Sequence, residues 1–380
     1  MILTGVILTI LAFIVFNKSQ YGANFLMHPQ LKNSKQYSPS KKRFLNQHSY
    51  VVTFADDGDV KLIASLWRYM FGKNQKPAFI LPEVKPNLEE FLQKSSEVNF
   101  IWFGHSSFML NFANKIVLFD PVFSNSASPF AFINKRFQKP VLALEELPKV
   151  DYIVLSHDHY DHLDMQTIKF FKNTNTKFVV PLGVGRHLQY WGITADRITE
   201  LDWWQTIKYD NLEFILTPAQ HFSGRKLIDY NHTLWGSWVV RDASHSIFFS
   251  GDSGYAKHFK EIGDKYGPFD LVFIENGQYD PAWRDVHMLP EDVIQAVLDL
   301  RAKAFVPIHW GMFCLAPHQW FEPIENIYKL AIACNIDLYT PKIGQVIVLE
   351  KTTTQAWWRE FLGNYNVDEK IYEFISLKSG

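Results

Sequence analysis
Nine consecutive residues, Ser156-His157-Asp158-His159-Tyr160-Asp161-His162-Leu163-Asp164, hold three histidines and three aspartates. They follow Asp151-Tyr152-Ile153-Val154-Leu155, a short apolar, β-branched run that reads as a buried strand. Side chains two apart on an extended chain point the same way, so His157 and His159 can grip one ion. A turn into helix beyond them swings Asp161 and His162 towards a second ion. Imidazoles with carboxylates form a ligand set that zinc accepts. The plain alternative is a solvated His-rich loop, and a His-x-His-x-Asp-His order directly behind a strand argues against it.

Two ions need more than four ligands. Three further positions obey one rule, a metal-type residue placed just after an apolar run. Leu212-Glu213-Phe214-Ile215-Leu216-Thr217 leads to His221, Ser246-Ile247-Phe248-Phe249-Ser250 leads through Gly251 to Asp252, and Ala304-Phe305-Val306-Pro307-Ile308 leads to His309. Strand ends hold such groups on a rigid scaffold while the loops beyond them vary.

In that order the set resembles the metallo-β-lactamase fold of binuclear metallohydrolases. Further stretches narrow the resemblance to the branch of N-acylphosphatidylethanolamine-hydrolysing phospholipase D. They are Gly104-His105-Ser106-Ser107, Asp120-Pro121-Val122-Phe123-Ser124, Glu200-Leu201-Asp202-Trp203-Trp204 and Leu234-Trp235-Gly236-Ser237-Trp238. Gly251-Asp252-Ser253-Gly254-Tyr255, Gly267-Pro268-Phe269-Asp270-Leu271 and Ile308-His309-Trp310-Gly311 continue it. One stretch departs: Glu275-Asn276-Gly277-Gln278-Tyr279-Asp280-Pro281-Ala282-Trp283 stands where that branch has a Pro-x-Gly-Ala-Tyr-type segment. The departure bears on substrate, not on metal chemistry.

The resemblance implies an α/β (α+β) fold, a four-layer αββα sandwich over residues 96–350. It implies two Zn²⁺ or similar divalent ions, one on His157, His159 and His221, the other on Asp161, His162 and His309, with Asp252 bridging. Asp161, Asp252 and His287 are the expected catalytic residues, His287 at the phosphoryl group or leaving oxygen. Tyr160 and Tyr255, beside ligands, are expected to line the pocket. Asp158 or Asp164 is expected to orient ligand imidazoles and Asp120 to support the site or fix a loop, while His105 is open between a supporting and a structural role. Charge counting leaves the loaded site positive, which suits an anionic phosphodiester. The implied reaction adds water to N-acylphosphatidylethanolamine and yields N-acylethanolamine and phosphatidic acid. A lactonase, another phosphodiesterase, and a non-enzymatic membrane-tethered binding protein are the alternatives.

The elements that must position these groups are legible too. From Val98 onward strands and helices alternate, with strands over 99–103 and 115–119. Pro290-Glu291-Asp292 starts a helix whose Val293, Val297 and Leu300 face the core. A net charge near −1 gives no case for nucleic acid. Cys314 and Cys334 make no disulfide framework, and Cys314 reads as a buried thiol. The 32 phenylalanines and 12 tryptophans suit a core, a lipid pocket or a membrane interface. Residues 1–17 are expected to be a single-pass membrane anchor, with a cleaved signal as second choice. The basic residues that follow place the body in the cytoplasm. Residues 18–95 read as a polar lead-in packed on the main domain, with a short aromatic helix near Trp67, and 351–380 as a helical tail. The loop Pro129 to Phe137 either packs or dips into a bilayer surface. The expected partner is a phospholipid, and the oligomeric state is open, a dimer included.

Overall fold
The computed structural model describes residues 18–23, 31, 33–48, 67–94, 96–226 and 228–364. After a ribbon of Tyr37–Ser38 (β1) and Arg43–Phe44 (β2), the chain builds a first mixed sheet. Its strands are Asn99–Trp102 (β3), Phe108–Phe112 (β4), Lys115–Phe119 (β5), Tyr152–Val154 (β6), Lys177–Pro181 (β7) and Ile198–Leu201 (β8). The second sheet takes Thr206–Tyr209 (β9), Leu212–Thr217 (β10), Ser237–Arg241 (β11), Ser246–Phe249 (β12), Leu271–Glu275 (β13), Ala304–Ile308 (β14) and Asp337–Leu338 (β15). Val346–Val348 (β16) then returns to the first sheet beside β3. The strand orders are β16-β3-β4-β5-β6-β7-β8 and β15-β14-β13-β12-β11-β10-β9.

Period-two alternation sorts the first sheet's apolar residues onto two faces. Phe100, Phe108 and Phe119 meet the second sheet: the Phe108 ring stacks 3.8 Å from Phe273, Phe100 lies 5.1 Å from Phe273, and Phe119 lies 5.4 Å from Phe249. Ile101, Met109, Leu118 and Ile153 join a separate cluster with Met165, Ile168 and Leu188 of the helices Met165–Phe170 and Gly185–Tyr190. The helices His258–Tyr266, Pro290–Asp299 and Glu322–Ala333 bury Phe259, Ile262, Val293, Val297, Ile324 and Ile327 in the core shared with β12–β14. The layers run helix, sheet, sheet, helix, as expected.

Strands β5, β6 and β7 run parallel, and so do β12, β13 and β14. Parallel strands end at one edge, and that edge is where an α/β sheet exposes its ligand crevice. The described parts of the lead-in pack behind it. Asn46 Nδ2 donates to His221 O at 2.7 Å, and Trp191 Nε1 donates to Ser19 O at 2.8 Å. The tail turns through Trp357–Asn364, with Trp357 and Trp358 buried, and its remainder lies outside the described residues.

The expected membrane anchor needs correction. Among the described residues no helix is long and apolar enough to cross a membrane. The longest α-helix among the described residues, Glu322–Ala333, has 12 residues, against the ~20 that a bilayer core requires. The single-pass anchor is therefore not supported, and the cytoplasmic assignment that rested on it does not stand; residues 1–17 themselves lie outside the described residues. Residues 67–71 are helical and lie against the main domain through Arg68, which pairs with Asp280 at 2.7 Å, and Tyr69, whose Oη donates to Cys314 O at 3.3 Å, while Trp67, Met70 and Phe71 face solvent.

Candidate metal centre
Strands of both sheets end at this site. In the first sheet, β3 leads to His105, β5 to Asp120 and β6 to Ser156 and His157. In the second, β10 leads to His221, β12 to Asp252, β13 ends on Glu275, and β14 leads to His309. The sheets are stitched together here by backbone bonds: His105 N donates to Trp310 O at 2.8 Å and His309 N to His105 O at 3.0 Å. The close approach also demands glycine. Gly251 has φ +56°, and a Cβ there would meet Ser156 Cβ at 2.6 Å.

All seven expected ligands meet in one buried cluster. His157 Nε2 lies 2.9 Å and His221 Nε2 3.3 Å from His159 Nδ1. Nitrogens on a tetrahedral zinc stand about 3.3 Å apart, given bonds of 2.0–2.1 Å. Beside them, His162 Nε2 and His309 Nε2 lie 3.1 and 3.2 Å from Asp252 Oδ2, and 3.4 and 3.3 Å from Asp161 Oδ2. Asp252 Oδ2 also lies 3.9 Å from His157 Nε2 and 3.7 Å from His221 Nε2, so one oxygen is common to both groups. His162 Nε2 and Asp252 Oδ1 are buried with no aligned hydrogen-bond partner. Orphaned polar atoms cost about 1–3 kcal/mol each, and a cation in each group would satisfy them. The residues fit two divalent ions.

The electrostatics divide the cluster. Burial pushes His157, His159 and His221 below the usual histidine range, and His162 adds to the effect on His157. These three are ready as neutral donors. Burial also opposes charge on His162 and His309, but Asp252 and Asp161 outweigh it. His162 is held well above its ordinary value, and His309 is pushed up to about 10. In turn burial would raise Asp161 and Asp252, yet His162 and its neighbours hold both well below the carboxylate range.

Around the cluster, some supports differ from those expected. Asp158 accepts from His187 Nε2, Gly224 N and Thr233 Oγ1, and Asp164 caps the helix Met165–Phe170 and holds Phe123 and Ser124. Neither touches a ligand imidazole. Asp120 does: its Oδ2 lies 2.6 Å from His162 Nδ1, and its Oδ1 accepts from Ser156 N at 2.7 Å. Glu275 is the other, with Oε2 at 2.8 Å from His287 Nδ1 and 3.4 Å from His309 Nδ1. Sequence reasoning passed over Glu275 although it obeys the same rule as the ligands, a charged residue closing an apolar run. His105 belongs to the cluster, with Nε2 at 2.9 Å from Asp161 Oδ2, and burial pushes it down to about 3. His287 borders a 310 Å³ cavity over the cluster, together with Asp161, Phe222, Asp252, Gln278, Trp283, Val286, His309 and Leu315. Tyr160 and Tyr255 are not brought to it. Tyr160 donates to Arg225 O at 2.8 Å, and Tyr255 donates to Asp299 Oδ2 at 2.7 Å. Cys314 is buried, as read from the sequence, and contacts no member of the cluster.

Residues 115–310, more than half of the chain, match the family described as beta-lactamase superfamily domain. An uncharacterized protein of Mycobacterium tuberculosis is 42% identical over 290 residues, 75% of this chain and 77% of its own length. N-acyl-phosphatidylethanolamine-hydrolyzing phospholipase D 1 of Caenorhabditis elegans is 36% identical over 243 residues, 60% of this chain and 68% of its own. Igni18, a metallo hydrolase from the archaeon Ignicoccus hospitalis, shares the fold with a TM-score of 0.54 at 21% identity, covering 67% of this chain and 99% of that one. From the cluster, the sheets and these likenesses together, the chain belongs to the metallo-β-lactamase superfamily of metal-dependent hydrolases, in the N-acylphosphatidylethanolamine phospholipase D-like branch.

Proposed function
We propose that this protein is a binuclear zinc phosphodiesterase that hydrolyses N-acylphosphatidylethanolamine to N-acylethanolamine and phosphatidic acid. The observation that carries this reading is Asp252 Oδ2, one oxygen set between a three-histidine group and a group of two histidines and an aspartate. His157, His159 and His221 would hold one zinc, Asp161, His162 and His309 the other, and Asp252 both. A bound zinc pair would lower the pKa of water from about 15.7 towards about 7 and so supply a nucleophile at neutral pH.

The protein's own residues set the rest. Two carboxylates against two divalent ions leave the cluster positive, which favours an anionic phosphodiester over a neutral ester. Phe222, Trp283, Val286 and Leu315 give the cavity apolar walls against which lipid chains can lie. His287 on the same wall faces the phosphoryl group or its leaving oxygen. Water attacks phosphorus, and the bond to the ethanolamine oxygen breaks. The exposed side chains of Trp67, Met70, Phe71, Phe132 and Ile133 would meet the bilayer that presents the substrate.

The test pairs metal analysis with product identification. Close to two zinc ions per chain, and N-acylethanolamine released from N-acylphosphatidylethanolamine, are expected. Free fatty acid as the product, or an opened lactone with the phosphodiester untouched, overturns the assignment.

A further inference from the structure
Glu275 is the last residue of β13, and its side chain is fully buried. No lysine or arginine pairs with its carboxylate among the described contacts. Instead its Oε1 accepts from Met288 N at 2.7 Å and its Oε2 from His287 Nδ1 at 2.8 Å. Its own backbone nitrogen donates to Ser250 Oγ at 2.9 Å, which ties it to the end of β12. The carboxylate therefore fastens two consecutive residues, 287 and 288, at the far end of the loop that leaves the same strand.

The ring so fastened lies inside the metal cluster's own geometry. His287 stacks on His309 with planes 12° apart and centroids 5.2 Å apart, and lies 5.1 Å from His221. One of its ring nitrogens is within 4.8 Å of donor atoms of both His221 and Asp252. An imidazole that gives Nδ1–H to a carboxylate has only Nε2 left to turn elsewhere. His287 borders the cavity, so that is where Nε2 is presented.

We infer that Glu275 is a positioning residue that holds His287 with Nδ1 protonated, so that Nε2 delivers a proton to the leaving oxygen of the phosphodiester. The inference rests on the phosphodiesterase reading above. The bare Nε2 first takes the proton shed by the attacking water. As the bond from phosphorus to the leaving oxygen breaks, its electron pair stays on that oxygen and takes this proton from Nε2, which is bare again. Glutamine cannot replace Glu275 in this duty. Its single amide oxygen is needed by Met288 N–H, so its NH₂ would face Nδ1 and demand that this nitrogen be bare.

The experiment uses the full chain loaded with zinc, as wild type, Glu275→Gln, His287→Ala and the double variant. Two substrates separate the roles: N-acylphosphatidylethanolamine, whose alkoxide leaves poorly, and bis(p-nitrophenyl) phosphate, whose phenolate leaves without help. Each single variant should lose about 10²-fold or more in kcat on the lipid, but under about threefold on the aryl ester. The double variant should be no worse than His287→Ala, because Glu275 acts through that ring. Equal losses on both substrates, or losses that multiply in the double variant, overturn the inference. So does loss of an ion from Glu275→Gln, which would reassign the residue to support of His309. Nitrogen-15 histidine spectra give a readout independent of turnover. The Nδ1–H signal of His287, identified by its absence in His287→Ala, should vanish or move in Glu275→Gln, and an unchanged signal sinks the positioning role. If wild type cleaves neither phosphodiester, the phosphodiesterase reading fails, and the spectra alone decide whether Glu275 sets the ring.

Discussion
At the scale of single residues, the cluster stores protons where a cation is meant to go. Asp252 and Asp161 keep His309 protonated up to about pH 10 and hold the proton on His162 as well. A metal needs these two imidazoles neutral, so an ion held by His162 and His309 must displace protons as it binds. Zinc affinity should therefore strengthen as pH rises from 6 to 9, with proton release measurable by calorimetry in two buffers of different ionisation enthalpy. The metal-free protein should show the opposite trend. The folded pKa of His309 lies above the unfolded value of about 6.5, so its contribution to stability is complete below that value and fades as pH rises towards 10. Melts of metal-free and zinc-loaded protein that drift in parallel with pH would refute this. A second comparison separates true supports from mere neighbours. Asp120 touches His162 Nδ1, whereas Asp158, adjacent to His157 in the chain, contacts no ligand imidazole. Asp120→Asn should weaken zinc binding about 10–100-fold by chelator competition, and Asp158→Asn far less. Similar losses from both would show that contact with the ring is not what matters.

At the scale of elements, the site is a consequence of where strands stop. Apolar runs followed by histidine or aspartate were enough to find His221, Asp252 and His309 in the sequence, because period-two burial fixes both the strand and the end from which the ligand projects. The supports were harder to see. Asp158 and Asp164 sit beside ligands in the chain, but the turn after β6 points them at His187 and Ser124 instead. Asp120, expected from the resemblance to support the site, and Glu275, which was passed over, reach the imidazoles from other strands, where the sheet register brings them. The strap formed by Asn46 behind His221 has no periodicity that a sequence could display. What keeps the strand ends in place is the aromatic seam between the sheets, where Phe273 stacks on Phe108 at 3.8 Å and meets Phe100. Phe273→Ala leaves a cavity in that seam two residues before Glu275. It should cost about 3–5 kcal/mol in urea unfolding of the metal-free protein. Loss of zinc affinity should accompany it, and a large stability loss with unchanged zinc binding would show that the seam does not govern the site.

At the scale of the whole molecule, two segments beside the cavity carry exposed large apolar side chains. Trp67, Met70 and Phe71 are 63%, 65% and 60% exposed, and Phe132 is 64% exposed. The two segments that carry them are neighbours, since Tyr69 Oη donates to Asn134 Oδ1 at 3.4 Å and to Cys314 O at 3.3 Å. Leu315, next in the chain, lines the cavity itself, and Arg68 holds Asp280 at 2.7 Å on the loop that also carries His287. Lys73, Lys76 and Lys135 are exposed on the same segments, which adds attraction to anionic lipid. An apolar patch with a basic fringe beside the cavity mouth suits an enzyme that draws its substrate from a membrane plane. Burying a side chain of this size is worth about 1.5–3 kcal/mol, so two of them carry well over a tenfold partition between water and lipid. The Phe71→Ser, Phe132→Ser double variant should lose at least about tenfold in binding to phosphatidylglycerol vesicles and in turnover of vesicle-borne lipid. Turnover of the water-soluble bis(p-nitrophenyl) phosphate should be unchanged, because neither ring lies in the cavity. Equal vesicle binding by variant and wild type would show that these side chains do not dock the protein on lipid, and a matching loss on the soluble ester would mean that the substitutions had damaged the site.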